Sequence, residues 1–278
     1  MLTRLDRLGT ASLLVIVGFA LVALFAPLIA PHDPQERHYD ESGKLLGLIP
    51  PSSGHWLGTT LYGRDVLSQL VLGTRNALFV GLLTAVFVGL VGVNVGLLSG
   101  YYGGRVDTVL MRLTDVVSGI PILPFAIVAL TILTRDVWWI VVVMSLLYWT
   151  TTARVIRSQV LSLRERPFVD AARIAGTRDL RILYKHISPN VLPQALVHGA
   201  FSVAWAITTE ASICFLGFGD PYTLSWGTML YDVFTSMVMY QAWWWFLPPG
   251  FCIMLLVTSF YFLGRSLEEV ANPRLRSQ

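Results

Sequence analysis

The chain has 278 residues, 54% of them hydrophobic and only 13% charged. Soluble domains of this length carry about a quarter charged residues, so the composition argues against a freely soluble globular protein and for a polytopic membrane protein. The net charge of +3 is modest, and the placement of the charges says more than their sum.

Arg4 and Arg7 precede a first apolar run over residues 11–30. About 20 residues suffice to cross a bilayer core. A cleavable signal peptide is the rival reading, but the run ends in Pro31-His32-Asp33-Pro34 without a small-residue cleavage pattern, so a retained first helix is expected. Residues 31–76 are rich in Pro, Gly and Ser and close with GRDVLSQLVLGTRNAL, which is predicted to lie on the membrane surface as an amphipathic helix. Further apolar segments follow at 77–99, 109–133, 137–153, 194–217 and 243–264. Each suits a helix rising about 1.5 Å per residue across a core of about 30 Å. The segment at 109–133 holds Arg112, Asp115, Pro121 and Pro124, which predicts a kinked span beginning near Val116. Arg112 and Asp115 stand one turn apart and are expected to pair. Residues 220–242 carry two acids and no basic residue. There Trp226, Tyr231 and Tyr240, with Trp243, Trp244 and Trp245, suit an interfacial aromatic belt.

Orientation follows from lysine and arginine. With the N-terminus inside, the inner stretches hold 15 basic residues and the outer ones Arg37, Lys44, Arg64, Arg75 and Arg135. That asymmetry predicts six spans with both termini cytoplasmic. It also places residues 152–193, with eight basic residues and three acids, in the cytoplasm.

This inner loop has helical patterning. Pro167 fits a first helical turn, where its missing N–H costs nothing. Phe168, Ala171, Ala172 and Ala175 recur at i, i+3, i+4 and i+7, while Asp170 and Arg173 fall off that stripe. Gly176 is placed to end the helix. A second helical stretch over 178–187 is expected to stop at Pro189 and Pro193. A basic juxtamembrane loop held by anionic lipid would explain the charge. It would not explain a small-residue stripe followed by a turn glycine, which suits a helix entering a partner's groove.

Asp170-Ala171-Ala172, then Gly176, then His186-Ile187-Ser188-Pro189-Asn190 resemble the "EAA" loop of binding-protein-dependent ABC importer permeases, with Asp170 for the usual Glu and Ser188 for the usual Leu. Leu57-Gly58-Thr59, Gly63-Arg64-Asp65, Ser68, Gly73 and Arg75 are similar to the segment after the first helix in dipeptide/oligopeptide permeases of the DppC/OppC type. So are Phe215-Leu216-Gly217-Phe218-Gly219, Ser225-Trp226-Gly227 and Asn272-Pro273-Arg274-Leu275-Arg276.

The resemblance covers nearly the whole chain. It implies an all-α membrane protein with a MetI-like core of five helices plus an extra N-terminal helix. Its parts are a tail and first span at 1–30, an extracytoplasmic segment at 31–76, a permease core at 77–264 with its coupling loop at 154–192, and a cytoplasmic tail at 265–278. It further implies a DppB/OppB-like permease as heterodimer partner, two ABC ATPase subunits gripping Pro167, Phe168, Asp170, Ala171, Ala172, Ala175, Gly176, His186 and Pro189, an extracytoplasmic solute-binding protein, and a prokaryotic cell membrane. Peptides are the first solutes it names, with oligosaccharides and nickel chelates as alternatives.

No GxxxxGK[ST] loop is present, and Gly43-Lys44 is followed by Leu45. ATP and Mg²⁺ are therefore expected on partner subunits, with no cofactor, catalytic residue, metal or nucleic acid on this chain. Cys214 and Cys252 lie in apolar runs and read as packed residues. His32, His38, His55, His186 and His198 show no metal spacing. Glu210, inside an apolar segment, is a functional candidate by default. It could line the translocation path, relay protons, or bond another helix, and the resemblance favours structure and gating; Trp226 joins it as a candidate. A proton-coupled secondary transporter using Glu210 and an intramembrane enzyme are the competing readings.

Overall fold

The computed structural model describes residues 6–271; Asn272-Pro273-Arg274-Leu275-Arg276 and Arg4 lie outside the described residues. The helices are α1 (Arg7–Ile29), α2 (Val66–Tyr102), α3 (Gly104–Ser118), α4 (Ile122–Ile132), α5 (Val137–Leu163), α6 (Pro167–Ile174), α7 (Asp179–Arg181), a π-helical turn (Ile182–Ile187), α8 (Ser188–Phe215), α9 (Trp226–Thr235) and α10 (Trp243–Ala271). Among the described residues the only β pairing is two isolated bridges, Tyr39 with Leu45 and Thr59 with Asp65. Among the described residues five helices are long and apolar enough to cross a membrane: α1, α2, α5, the continuous helix Asp179–Phe215, and α10. The pair α3 and α4 makes a sixth span if counted together, bent by 83°. The kink expected in the third apolar segment is thus a full break between Ser118 and Ile122. Pro121 stands there in extended conformation as the N-cap of α4, since its fixed φ and missing N–H prevent α3 from continuing.

Short polar side chains set the helix starts. The Asp6 carboxylate accepts from the Gly9 amide at 2.7 Å, Asp65 from Ser68 at 2.8 Å, and Asp136 from Trp138 at 2.8 Å. Ser225 and Thr228 form a reciprocal capping box at the head of α9. The Asp65 cap corrects one expectation. The stretch 65–76 is no separate surface helix; it is the first three turns of α2, a single helix of 37 residues. Val66, Ser68, Gln69, Val71, Gly73 and Thr74 are buried there, and Trp226, Trp244 and Trp245 share a core cluster with Val66. Protein covers the face that patterning assigned to lipid headgroups. At 1.5 Å per residue α2 is about 55 Å long, nearly twice a hydrocarbon core.

The closest helix pairing joins α2 to α5. Gly92, Gly96 and Gly100 lie one turn apart on one face of α2. A Cβ at these positions would stand 2.8 Å from the Trp149 carbonyl oxygen, 2.6 Å from that of Ala153 and 2.9 Å from that of Arg157. Backbone meets backbone here, the mode by which small residues bring helices together in lipid. Beyond this seam a bidentate ion pair ties α3 to α5: Arg157 Nε and Nη2 each lie 2.6 Å from an Asp107 carboxylate oxygen. Ser99 of α2 donates to the same carboxylate. Asp115 is bonded by Arg154 of α5 at 3.1 Å. The expected Arg112 pair is replaced by this cross-helix one, because α5 brings a guanidinium to the side of α3 that carries Asp115, and Arg154 also reaches Ser118 at 3.0 Å.

The ends of the described chain meet: the Asp6 amide donates to Ser266 Oγ at 3.4 Å. The far end of α1 meets the start of α2, where the His32 amide donates to Ser68 Oγ at 3.1 Å. Both described ends therefore lie on the same side as the C-terminal end of α2. Substituting Gly96→Leu should force α2 from α5 and destabilise the chain by about 3 kcal/mol, the upper range for overpacking. Gly89→Leu, on an open face where nothing lies within 4 Å of a new Cβ, should stay within about 0.5 kcal/mol. Thermal unfolding of the two detergent-purified variants checks this; equal midpoints would remove the glycine seam from the account.

Candidate functional site

The basic loop begins where α5 ends at Leu163, ten residues beyond the predicted span. Pro167 opens α6 at its first turn after an extended Arg166. One face of α6 looks inward: Val169 is fully buried, and Ala172 packs against the same cluster. The other face looks outward. Phe168 is 40% exposed and Ile174 is 88% exposed, and Ala171 and Ala175 are exposed between them. The predicted stripe therefore splits. Phe168, Ala171 and Ala175 stay outside, Ala172 turns in beside Val169, and Ile174 joins the outer face. Asp170 is exposed in the first turn, where the helix dipole favours an acid, and lies 3.2 Å from Arg173.

Gly176 ends α6 as the sequence predicts. Its φ is +72°, the left-handed region that a side chain disfavours. The Gly176 amide donates to the Arg173 carbonyl at 2.9 Å and the Thr177 amide to the Ala172 carbonyl at 3.0 Å. These two bonds are the Schellman closure. The following stretch departs from expectation. Pro189 and Pro193 do not stop it: Asp179–Phe215 is one continuous helix. Pro189 is the second residue of α8, and the six-residue π turn just before it widens the hydrogen-bond register at the point where its N–H is missing. His186 lies half-buried in that π turn, its carbonyl accepting from Asn190 Nδ2 at 2.6 Å.

The inward face is strongly held. Val169, Ile182, Leu183 and Ile187 are fully buried against Leu97 and Tyr101 of α2 and Ile156 and Val160 of α5. Tyr101 Oη donates to Asp179 at 2.7 Å, and the Arg173 guanidinium lies 5.7 Å over the Tyr101 ring. Tyr184 Oη donates to Asn94 at 2.7 Å. Arg164 Nη1 donates to the Gly100 carbonyl at 3.0 Å. The loop is thus a rigid two-faced element, locked to the ends of α2 and α5 on one side and presenting an apolar strip on the other.

The two other predicted residues lie in the bundle's interior. Glu210 on α8 is 2% exposed. It accepts from Asn76 of α2 at 2.9 Å and from Cys214 Sγ at 3.2 Å. Trp226 is 1% exposed; its indole donates to the Leu70 carbonyl at 2.9 Å and meets the Phe19 ring edge-on at 5.8 Å. Trp226, Trp244 and Trp245 are core residues, while Trp243, Tyr231 and Tyr240 are exposed, so the aromatic belt is only half a belt.

Sequence reading missed a cleft of about 630 Å³ lined by Arg37, Arg64, Arg135, Asp220, Tyr222 and Asp232 among others. Burial pushes the Asp232 carboxyl above the usual range, and Arg64 opposes the shift. The lining comes from four separate segments, so no local pattern betrays it.

Residues 92–277 match the family described as "binding-protein-dependent transport system inner membrane component", and residues 4–51 match the N-terminal transmembrane domain of oligopeptide transport permease C. The oligopeptide transport system permease protein OppC of Bacillus subtilis is 36% identical over 98% of this chain and 88% of its own. The dipeptide transport system permease protein DppC of the same organism is 32% identical over 98% of this chain and 83% of its own. Among solved structures, a chain from inward-facing conformations of the MetNI methionine ABC transporter superposes with a TM-score of 0.54 at 19% identity, covering 74% of this chain and 95% of that one; that likeness concerns the fold alone. A continuous bundle of apolar helices, a two-faced loop on one side of it and a family match over residues 92–277 agree that this chain is a membrane-embedded permease subunit of the binding-protein-dependent (ABC importer) inner-membrane family.

Proposed function

We propose that this chain forms one half of the pore of an ATP-driven importer of peptides, and that α6 is the handle by which an ATPase subunit moves it. The observation that carries the reading is the two-faced loop. An apolar strip of Phe168, Ala171, Ile174 and Ala175 left in water has no structural use, and it lies on a helix that cannot move without α2 and α5. A groove on a partner ATPase, with ATP and Mg²⁺ held there, would cover that strip. The other pore half would be a DppB/OppB-like permease, and a solute-binding protein would deliver peptide to the opposite side. Peptide as solute is supported by the names of the relatives, oligopeptide and dipeptide permeases. The basic loop and both chain termini then face the cytoplasm, as the lysine and arginine distribution favours.

In this reading the loop acts as a lever. Closing the ATPase pair displaces α6, the inward cluster carries the displacement into α2 and α5, and the continuous helix Asp179–Phe215 carries it into the bundle. Glu210 serves as a tie between α8 and α2 through Asn76; neither it nor Trp226 is required to touch solute.

Ile174→Asp puts a charge on the strip without disturbing the buried face. It should lower ATP-driven peptide uptake by at least about tenfold, roughly 1.4 kcal/mol of lost coupling, at unchanged membrane levels. Uptake at the wild-type rate in proteoliposomes holding the complete complex would exclude α6 as the handle. Gly176→Val should strain the turn by about 1–2 kcal/mol and uncouple ATP hydrolysis from uptake, whereas Gly176→Asn, a residue that tolerates the left-handed region, should retain most of the coupling. Comparing transported peptide per ATP hydrolysed in the two variants checks the turn; identical ratios would show that its geometry does not matter.

A further inference from the structure

Residues 31–65 cross between the end of α1 and the start of α2, and they bring together three histidines that are spread along the chain. His32, His38 and His55 each offer a ring nitrogen within 4.8 Å of the other two. The three ring centroids form a near-equilateral triangle with sides of 4.7, 4.9 and 4.8 Å.

Backbone bonds set each ring in place independently. The His32 amide donates to Ser68 Oγ at 3.1 Å. The His38 amide donates to the Gly63 carbonyl at 2.9 Å, and the His38 carbonyl accepts from Leu46 at 2.9 Å. The His55 carbonyl accepts from the Ser52 and Gly58 amides at 2.9 and 2.8 Å. Beneath the triangle lies Asp65, fully buried. Its Oδ1 is 2.8 Å from His55 Nδ1 and 3.8 Å from His32 Nδ1, and its Oδ2 accepts from Ser68.

A cluster built only for hydrogen bonding would use these nitrogens on one another or on Asp65. Nδ1 of His32 and Nε2 of His38 instead lie buried with no partner. A carboxylate bonded to one imidazole is the arrangement that orients a histidine toward a metal and raises its basicity.

We propose that His32, His38 and His55 form a binding site for one divalent transition-metal ion of the Zn²⁺ class, with Asp65 orienting His55 and balancing the charge. Imidazole donors select this class over Mg²⁺ and Ca²⁺. Metal–nitrogen bonds of about 2.0–2.1 Å in a tetrahedral site require nitrogens about 3.3 Å apart, a contraction that side-chain torsions of three half-buried or buried rings can supply. The bound ion would staple the loop between α1 and α2 to the N-cap of α2. This inference does not depend on the solute or on the ATPase contact proposed above.

The test uses the full-length chain, purified in detergent through a tag without histidine and stripped with EDTA. Titration with Zn²⁺ against a chromophoric chelator should show one ion per chain. Loading with Co²⁺ should give the intense visible absorption of tetrahedral coordination. His38→Ala should weaken Zn²⁺ binding by at least about 100-fold, the upper end of what losing a residue that only orients a ligand costs, while His198→Ala, on α8, should leave it unchanged. Substoichiometric Zn²⁺ uptake by the wild-type chain, the weak spectrum of octahedral Co²⁺, or a folded His38→Ala chain binding as tightly as wild type would each overturn the site. The Co²⁺ spectrum needs no variant, so a His38→Ala chain that fails to fold leaves the proposal open to refutation.

Discussion

The backbone contact between α2 and α5 is the constraint on which the other features depend. Three glycines one turn apart let two long helices touch main chain to main chain, and no larger residue fits there. In lipid, where apolar side chains gain nothing by leaving the surrounding tails, such packing is the main source of helix association. The contact also determines what lies beyond it. It brings Arg157 to Asp107 and Arg164 to the Gly100 carbonyl, and it sets Leu97 and Tyr101 beside Ile156 and Val160 as one platform. The loop that carries α6 has a place to sit only because that platform exists.

The loop and its platform divide labour by face. The inward face is apolar and closed over by two phenolic hydrogen bonds from Tyr101 and Tyr184, so it makes a stiff joint. The outward face is apolar and uncovered, with basic residues around it. Stiffness on one side and availability on the other are what the proposed lever requires, since a compliant joint would absorb any displacement applied to α6. Glu210 fits the same economy. A carboxyl at membrane depth is expensive unless it is bonded, and Asn76 and Cys214 bond it, so it fastens α8 to α2.

What sequence patterning could read was local. The proline at the head of α6, the turn glycine and the outward positions Phe168, Ala171 and Ala175 all rest on residues within a few places of one another, and all are as expected. The failures are non-local. Asp115 pairs with Arg154 because of how α3 crosses α5, and nothing near Asp115 says so. The first turns of α2 looked amphipathic, but Trp226 packs on them at Leu70 and Gly73, and Trp244 and Trp245 share the core cluster of Val66. Trp226 has the composition of an interfacial residue and the environment of a core one. The prolines after the loop carried a stop signal that a single π turn overrides. The triangle of His32, His38 and His55 has no spacing signature at all, since turns and bridges over 31–65 produce it.

The π turn has a geometric consequence of its own. In an α-helix each residue advances the side-chain direction by about 100°. The turn Ile182–Ile187 lies inside the continuous helix Asp179–Phe215, and its wider i→i+5 register takes up one extra residue inside the rod without breaking it. That residue acts as a phase setting between the two ends of a single helix. It fixes the angle at which the basic loop meets the bundle, independently of the length of either. Removing one residue from the turn would leave a good helix whose two ends point about 100° out of step, with every contact surface intact and the orientation between them lost.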